Sequence, residues 1–311
     1  MRKQTRESQK TVWIALAANA SIMIAKGIAG IVTGSAALLA EAAHSVADTF
    51  DQGLMLLALS RSERPPDEDH PFGYGKERFF WTLLVAILIF AFGGVFSILE
   101  GLYRIVSAGG EQGFFVVSYA VLGIALLAEG TSLARAVRQT RASAREAELD
   151  FAEFVRTSKE PTVKTVLSED TGAVIGVLIA LAGTALGQLT GDKLWDGASA
   201  VVIGVLLCLI GYALARDTKG LLIGAPARPD ERERLRRTIL EHDGVDDVLE
   251  LLTMYVGPHS ALVAARIDLR DDLTGDEVEQ LSNRVDAALR EELPDVTDVF
   301  LDATPRGTRG A

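Results

Sequence analysis

The chain has 311 residues, 49% of them hydrophobic, one cysteine and a net charge of −11. Its mean hydropathy of +0.23 and its long apolar runs exclude an ordinary soluble domain, and the lone Cys208 excludes disulfide scaffolds and thiolate zinc sites. Residues 226–311 contribute −9 of the net charge, which predicts an acidic soluble domain after a nearly neutral membrane domain and argues against nucleic acid as a partner.

Six apolar stretches follow a basic, polar segment at residues 1–10, and each is long enough to cross a bilayer, which takes about 20 residues. They comprise residues 11–33, 36–60, 79–103, 113–136, 163–188 and 197–220. The first stretch has the length of a span and lacks a small-residue cleavage pattern, so a cleaved signal peptide is not expected. The sequence therefore predicts a polytopic α-helical membrane protein with six transmembrane helices within residues 11–224.

Lysine and arginine are distributed unequally between the connections. They are concentrated in residues 1–10 and after the second and fourth stretches, whereas the opposite connections carry only Arg104 and Lys193. Because cytoplasmic connections carry the excess of positive charge, both termini are predicted to be cytoplasmic. The compact length and simple termini suggest a bacterial plasma membrane.

The segment 225–305 is predicted to form a small cytoplasmic α+β domain with the element order αββαβ. Its predicted elements are a charged amphipathic helix, two strands, a second helix and a short strand, at residues 230–242, 245–255, 261–269, 274–292 and 296–301. Residues 306–311 are expected to be a flexible tail.

A histidine and an aspartate, His44 and Asp48, lie four residues apart inside an otherwise apolar stretch, so they project from the same face of a helix. Ionisable groups at membrane depth are costly and usually mark an ion or proton pathway. An imidazole nitrogen beside a carboxylate oxygen is also half of a tetrahedral zinc site. A hydrogen bond between packed helices is the simpler alternative. Asp51 lies on the same face and is a further candidate ligand.

A second pair of acids, Glu169 and Asp170, opens the fifth apolar stretch. The small residues that follow allow close approach of helices, so we expect Asp170 to lie near His44 and Asp48. One imidazole and two carboxylates, with Glu169 or water as the fourth ligand, suit a hard-to-borderline divalent cation. The alternative for Glu169 is a water-facing or capping acid.

The connection after the second stretch contains a dense group of acids with a histidine. Asp67, Asp69 and His70 form a possible secondary cytoplasmic metal site, because carboxylates and an imidazole close together can hold a divalent cation. Glycines and prolines fix an irregular backbone there, and a solvated turn is the equally simple alternative.

The first stretch contains a lysine, Lys26, at membrane depth. A buried ammonium group needs a partner of opposite charge, and Glu41 or Glu129 could serve. We interpret Lys26 as a structural intramembrane charge.

Three stretches of the sequence resemble the cation diffusion facilitator family, whose members export Zn²⁺ and related divalent cations. They are Gly34 to Asp48, His70-Pro-Phe-Gly-Tyr-Gly-Lys76, and Glu169-Asp170. The order of six spans and an α+β tail is similar over nearly the whole chain. The resemblance implies a homodimer, alternating access, and a metal exchanged for protons at a site with ligands from spans two and five. By position, these ligands are His44, Asp48 and Asp170.

The sequence also departs from the family pattern. The usual fourth ligand is a histidine one turn before the span-five aspartate, and Val166 stands there instead. Loss of a nitrogen ligand leaves Zn²⁺ as the first expectation but favours Mn²⁺ or Fe²⁺ more than usual. Tyr74 stands where many members have a histidine, and the usual histidine ligands of the soluble domain are missing. That domain is expected to dimerise with little tight metal binding.

Enzyme motifs are absent from the sequence. There is no phosphate-binding glycine loop, no HExxH and no GxSxG, so ATP hydrolysis, metalloprotease and serine hydrolase activities are disfavoured, and no nucleotide or cofactor is expected. The predicted function is a secondary transporter, not an enzyme, that sits in membrane lipid and exports a divalent cation in exchange for protons. The alternative is a membrane regulatory or scaffold protein that binds metal without transporting it.

Overall fold

A computed structural model describes residues 20–107 and 115–304, which divide into two compact units. One unit contains the described residues up to Leu59 together with Phe80–Thr218, and the other contains Ser60–Phe79 and the chain from Lys219 onward. The predicted N-terminal segment 1–10, the start of the first predicted span and the predicted tail lie outside the described residues.

The first unit is built from helices whose bounds follow the apolar stretches of the sequence. They are α1 (Ala20–Thr33), α2 (Ala36–Ser62), α3 (Glu77–Val106), α4 (Phe115–Glu146), α5 (Phe151–Thr157), α6 (Pro161–Thr190) and α7 (Leu194–Gly224). Within α3, Ile89–Val95 forms a π-helical segment. The short α5 is capped by Asp150, whose carboxylate accepts a hydrogen bond from the backbone N–H of Ala152.

Four helices are long and apolar enough to cross a membrane. They are α3, α4, α6 and the helix that begins at Leu194. The helix α2 has 27 residues and is less apolar because it carries Glu41, His44, Asp48 and Asp51. The described part of α1 is a shorter apolar helix. The structure therefore supports a membrane domain with several apolar helices, and the count of six spans stays a prediction.

Close contact between α3 and α7 is made possible by glycines at seven-residue spacing. A Cβ atom at Gly101 would lie 2.6 Å from the carbonyl oxygen of Gly197, and one at Gly204 would lie 2.7 Å from that of Gly94. Any larger residue at these positions would separate the two backbones. Small residues are typical of such contacts because helices in lipid associate largely through close packing.

The N-terminus of α2 is fixed by a residue from α7. The Ser35 hydroxyl donates to Asp196 Oδ1 over 2.6 Å, and the backbone N–H of Ala36 donates to Asp196 Oδ2 over 2.5 Å. This carboxylate satisfies donors that the first turn of a helix leaves without partners. The start of α2 is thereby held inside the bundle. The alanines of this helix pack there with Val177 of α6 and Ile203 of α7.

The second unit contains an α+β domain with the predicted order of elements. They are α8 (Pro229–Leu240), β1 (Val245–Gly257), β2 (Ser260–Leu269), α9 (Gly275–Glu292) and β3 (Val296–Ala303). The strands form one sheet in the order β1-β2-β3, in which β2 is antiparallel to β1 and parallel to β3. The predicted α+β domain with three strands is confirmed.

Apolar residues from both helices form the core of this domain against one face of the sheet. Ile239 of α8, Val263 of β2 and Leu281 of α9 are almost completely buried. The helix α9 begins with a capping box, in which Thr274 and Glu277 each bind the other's backbone N–H.

The connection Ser60–Phe79 belongs to the second unit, a placement that was not predicted from the sequence. A Cβ atom at Gly75 would lie 2.6 Å from the carbonyl oxygen of Val256, at the end of β1. The rings of Phe72 and Phe300 meet edge to face with centroids 6.4 Å apart. The connection between α2 and α3 is thus packed against the sheet.

Candidate metal centre

The helix α2 places His44 and Asp48 on one face, as their spacing requires. His44 Nδ1 lies 3.5 Å from Asp48 Oδ1, and the histidine is only 1% exposed. Neither ring nitrogen of His44 nor Asp48 Oδ1 has a hydrogen-bond partner within the part of the chain that the structure describes. Buried polar atoms normally have partners, and a metal cation could be bound by one of the ring nitrogens together with Asp48 Oδ1.

Asp51 on α2 and Glu169 on α6 bring a second pair of acids together. Their carboxyl groups are hydrogen-bonded to each other, and the residues are 3% and 7% exposed. Asp51 Oδ1 and Glu169 Oε1 have no partner among the described residues. Two carboxylates in contact at low dielectric repel each other strongly. Either one of them takes up a proton, or a cation lies between them. This pair is therefore suited to hold either one.

Asp170 faces a different helix from its chain neighbour Glu169. Its carboxyl group is hydrogen-bonded to Ser132, and it interacts electrostatically with Glu129 and Arg135, all on α4. Consecutive helical residues are rotated by about 100°, so the two acids leave α6 in different directions. Glu169 is thus in contact with Asp51 of α2, while Asp170 interacts with residues of α4, and the expectation that Asp170 joins His44 and Asp48 stays a prediction.

The candidate ligands form pairs rather than a closed coordination shell. Across residues 20–107 and 115–304, no group of three or more His, Cys, Asp or Glu side chains is arranged to hold a metal ion. The pairs are His44 with Asp48 and Asp51 with Glu169, and Glu169 also interacts electrostatically with Asp48. The four-ligand set of His44, Asp48, Asp170 and Glu169 remains a prediction.

Lys26 lies at the centre of a buried polar network. Its ammonium group donates to Glu41 Oε2 over 3.1 Å and to Ser45 Oγ over 2.9 Å, and it lies 3.5 Å from Glu129 Oε1. Lys26 and Glu41 are both completely buried. The two acids named as alternative partners in the sequence both contact this lysine, so one positive charge faces two negative ones.

Sequence reasoning missed the polar residues of α4 and one hydroxyl of α2. Ser132 and Arg135 both interact with Asp170. They follow Glu129 at intervals of three residues, which places all three on one helical face, and this spacing could have indicated them. Ser45 could have been found from Glu41, four residues before it.

The loop after α2 holds Asp67 in hydrogen bonds from its own neighbours. The backbone N–H of His70 donates to Asp67 Oδ1 over 2.8 Å, and the Tyr74 hydroxyl donates to Oδ2 over 2.7 Å. The bond from Tyr74 holds the pKa of Asp67 below its ordinary value. Asp67, Asp69 and His70 do not form a three-residue metal group in the described structure, so this secondary site stays a prediction.

Two family models together match most of the chain. Residues 12–223 match the family model of the cation efflux transmembrane domain, and residues 227–305 match that of the cation efflux protein, cytoplasmic domain. The chain belongs to the cation diffusion facilitator family. This family consists of transporters rather than enzymes, and the chain is an integral membrane protein.

Individual relatives come from several organisms. The chain is 33% identical to the human proton-coupled zinc antiporter SLC30A9, mitochondrial, over 75% of its own length but only 41% of that protein. It is 29% identical to metal tolerance protein C4 of Arabidopsis thaliana, over 86% of the chain and 58% of the relative. It is 24% identical to the manganese efflux system protein MneP of Bacillus subtilis, over 96% of both.

Proposed function

We propose that the protein is a secondary transporter that moves a divalent metal cation out of the cytoplasm in exchange for protons. The observation that carries this proposal is the set of buried ligand atoms without partners on α2 and α6: both ring nitrogens of His44, Asp48 Oδ1 and Glu169 Oε1. Such groups at membrane depth are rare except along ion pathways. Family membership and the relatives' names agree with it.

The proposed ligands are His44, Asp48 and Asp170, with Glu169 as the fourth. The contact between Glu169 and Asp51 supports Glu169 as a ligand and adds Asp51 to the candidates. Zn²⁺ is the first proposed cation, with Mn²⁺ or Fe²⁺ as alternatives, because the set has one nitrogen and several oxygens. One relative is named a zinc antiporter and another a manganese efflux protein, so both metals remain candidates.

Proton exchange follows from the chemistry of the ligands. Imidazole and carboxylate bind a metal only when deprotonated, so cations and protons compete for one site. The cation enters from the cytoplasm, guided by the acidic domain and by the loop at Asp67. We propose that the protein works as a homodimer with six spans in a bacterial plasma membrane, with both termini in the cytoplasm.

Reconstitution in liposomes tests this proposal. Purified protein should carry Zn²⁺ or Mn²⁺ in response to a pH gradient, and the rate should fall to background in Asp48→Ala. Flux that is equal in Asp48→Ala and the wild type would disprove the proposed site. Flux without proton coupling and at a far higher rate would indicate a channel.

A metal-binding regulatory or scaffold protein is the second candidate. The feature that supports it is Val166, which stands where the family's usual histidine ligand is expected. It predicts cation binding that is lost in Asp48→Ala, with no flux of Zn²⁺, Mn²⁺ or Fe²⁺ under any gradient.

A further inference from the structure

We infer that Lys26 is a fixed positive charge that weakens the binding of the transported cation enough for its release, and that Glu129 relays this effect to the ligands. The inference rests on the proposed transport function. It goes beyond a structural role for Lys26, because it assigns this lysine a quantitative effect on affinity and turnover.

The surroundings of Lys26 keep it charged inside the bundle. The ammonium group contacts Glu41 and Glu129, and both it and Glu41 are fully buried. The formal charges of the three side chains sum to −1. Removal of the lysine would leave the buried carboxyl group of Glu41 next to the partly buried one of Glu129, so the positive charge stabilises both neighbours.

Lys26 is electrostatically connected to the candidate ligands. Asp48 interacts with both Lys26 and Glu129, and His44 also interacts with Lys26. Glu129 interacts with Asp170 as well. Glu129 therefore lies where it is attracted both by the ammonium group and by any cation bound between α2 and α6.

The physical consequence is a limit on how tightly the site can hold its cation. A divalent ion near His44 and Asp48 is repelled by Lys26, and this repulsion is strong because neither group is in bulk water. Several acids without an internal positive charge would bind the ion tightly and release it slowly. Lys26 offsets part of that attraction, so binding stays reversible.

A charge series in the reconstituted full-length protein tests the inference. Lys26→Met adds one net negative charge to the network, Glu129→Gln removes one, and the double variant restores the wild-type value. On the order of a tenfold change in KM is expected for each single variant from the Coulomb term. For both Zn²⁺ and Mn²⁺, KM should fall in Lys26→Met, rise in Glu129→Gln and return near the wild type in the double variant.

Turnover gives the second readout. In Lys26→Met, kcat should fall together with KM, because release from the tighter site is slower. Lys26→Arg keeps the charge and should restore both values. Lys164→Met is the matched control, since it removes a lysine from a partly exposed ion pair with Asp217 and should leave KM unchanged, because pairs near the surface are screened.

The outcomes separate the two proposals. Absence of flux in the wild type defeats the transport function itself, and full flux in Asp48→Ala defeats the proposed site. If transport is established and Lys26→Met lowers kcat at constant KM, the lysine supports the fold without affecting cation affinity. The inference is then wrong. If Lys26→Met does not fold, Glu129→Gln decides, because a KM equal to that of the wild type in this variant would also overturn the inference.

Discussion

The carboxyl group of Glu169 on α6 is hydrogen-bonded to that of Asp51 on α2. The next residue, Asp170, is hydrogen-bonded to Ser132 on α4 instead. The pair Glu169-Asp170 therefore joins three helices, and its two members have different surroundings. Of the two, Glu169 is in contact with the helix that carries His44 and Asp48.

The two acids should differ in their effect on cation binding. Glu169→Gln keeps the size of the side chain but removes a charge beside Asp51, so the affinity for Zn²⁺ or Mn²⁺ should fall by about tenfold or more. Asp170→Asn should have the smaller effect on affinity if Ser132 is its main partner. Titration calorimetry of the purified protein measures both. A larger loss in Asp170→Asn would show that Asp170 turns toward α2 when the ion binds.

Removal of the Asp196 carboxylate should destabilise the membrane domain. Asp196→Ala leaves the Ser35 hydroxyl and the backbone N–H of Ala36 without an acceptor, which costs about 1–3 kcal/mol. The temperature at which the detergent-solubilised protein aggregates should therefore fall. Asp217→Ala, which breaks an exposed ion pair with Lys164, should leave it nearly unchanged. Equal melting of the two variants would contradict the role of Asp196.

A larger residue at Gly101 should separate α3 from α7. In Gly101→Leu, the side chain meets the carbonyl oxygen of Gly197 and Val201, so we expect a loss of about 1–3 kcal/mol and little folded protein. Gly123→Leu on α4 is the control, because no heavy atom lies within 4 Å of a Cβ at that position. Yields of monodisperse protein after size-exclusion chromatography compare them. Similar yields would argue against close packing at Gly101.

A methyl group at Gly75 should release the loop from the sheet. The Cβ atom of Gly75→Ala would collide with the backbone at Val256 and Gly257. We expect trypsin to cut the variant within Ser60–Phe79 several times faster than the wild type, in line with the behaviour of exposed loops. Gly275→Ala, where a Cβ meets nothing within 4 Å, should be cut at the wild-type rate. Unchanged cleavage in Gly75→Ala would show that the loop packing does not protect it.

Tyr74 should limit cation binding by the loop. Tyr74→Phe frees Asp67 Oδ2, and in an Asp48→Ala background the variant should bind Zn²⁺ more tightly than the same background with Tyr74. In the wild type the pKa of Asp67 is lowered, so its bond to Tyr74 is present at neutral pH and is lost only as the pH falls below the ordinary range of an aspartate. Equal binding with and without the hydroxyl would rule out this competition.

Local features of the sequence predicted much of the fold. The first strand of the C-terminal domain begins at Val245, as predicted, and its last helix ends at Glu292 in both prediction and structure. Apolar periodicity and turn residues act over a few positions, so each element can be read without its neighbours. The one-turn spacing of His44 and Asp48 is local in the same sense.

The sequence by itself determined the family, the order of the elements and the pair His44–Asp48. The tertiary structure alone decided that Glu169 contacts Asp51 and that the loop at Gly75 packs against the sheet. It also decided that Lys26 forms ion pairs with both Glu41 and Glu129. These contacts join residues far apart in the chain, and they depend on how each helix is rotated against the next. Helical periodicity gives a residue's face but not which helix that face meets, so packing had to settle the rest.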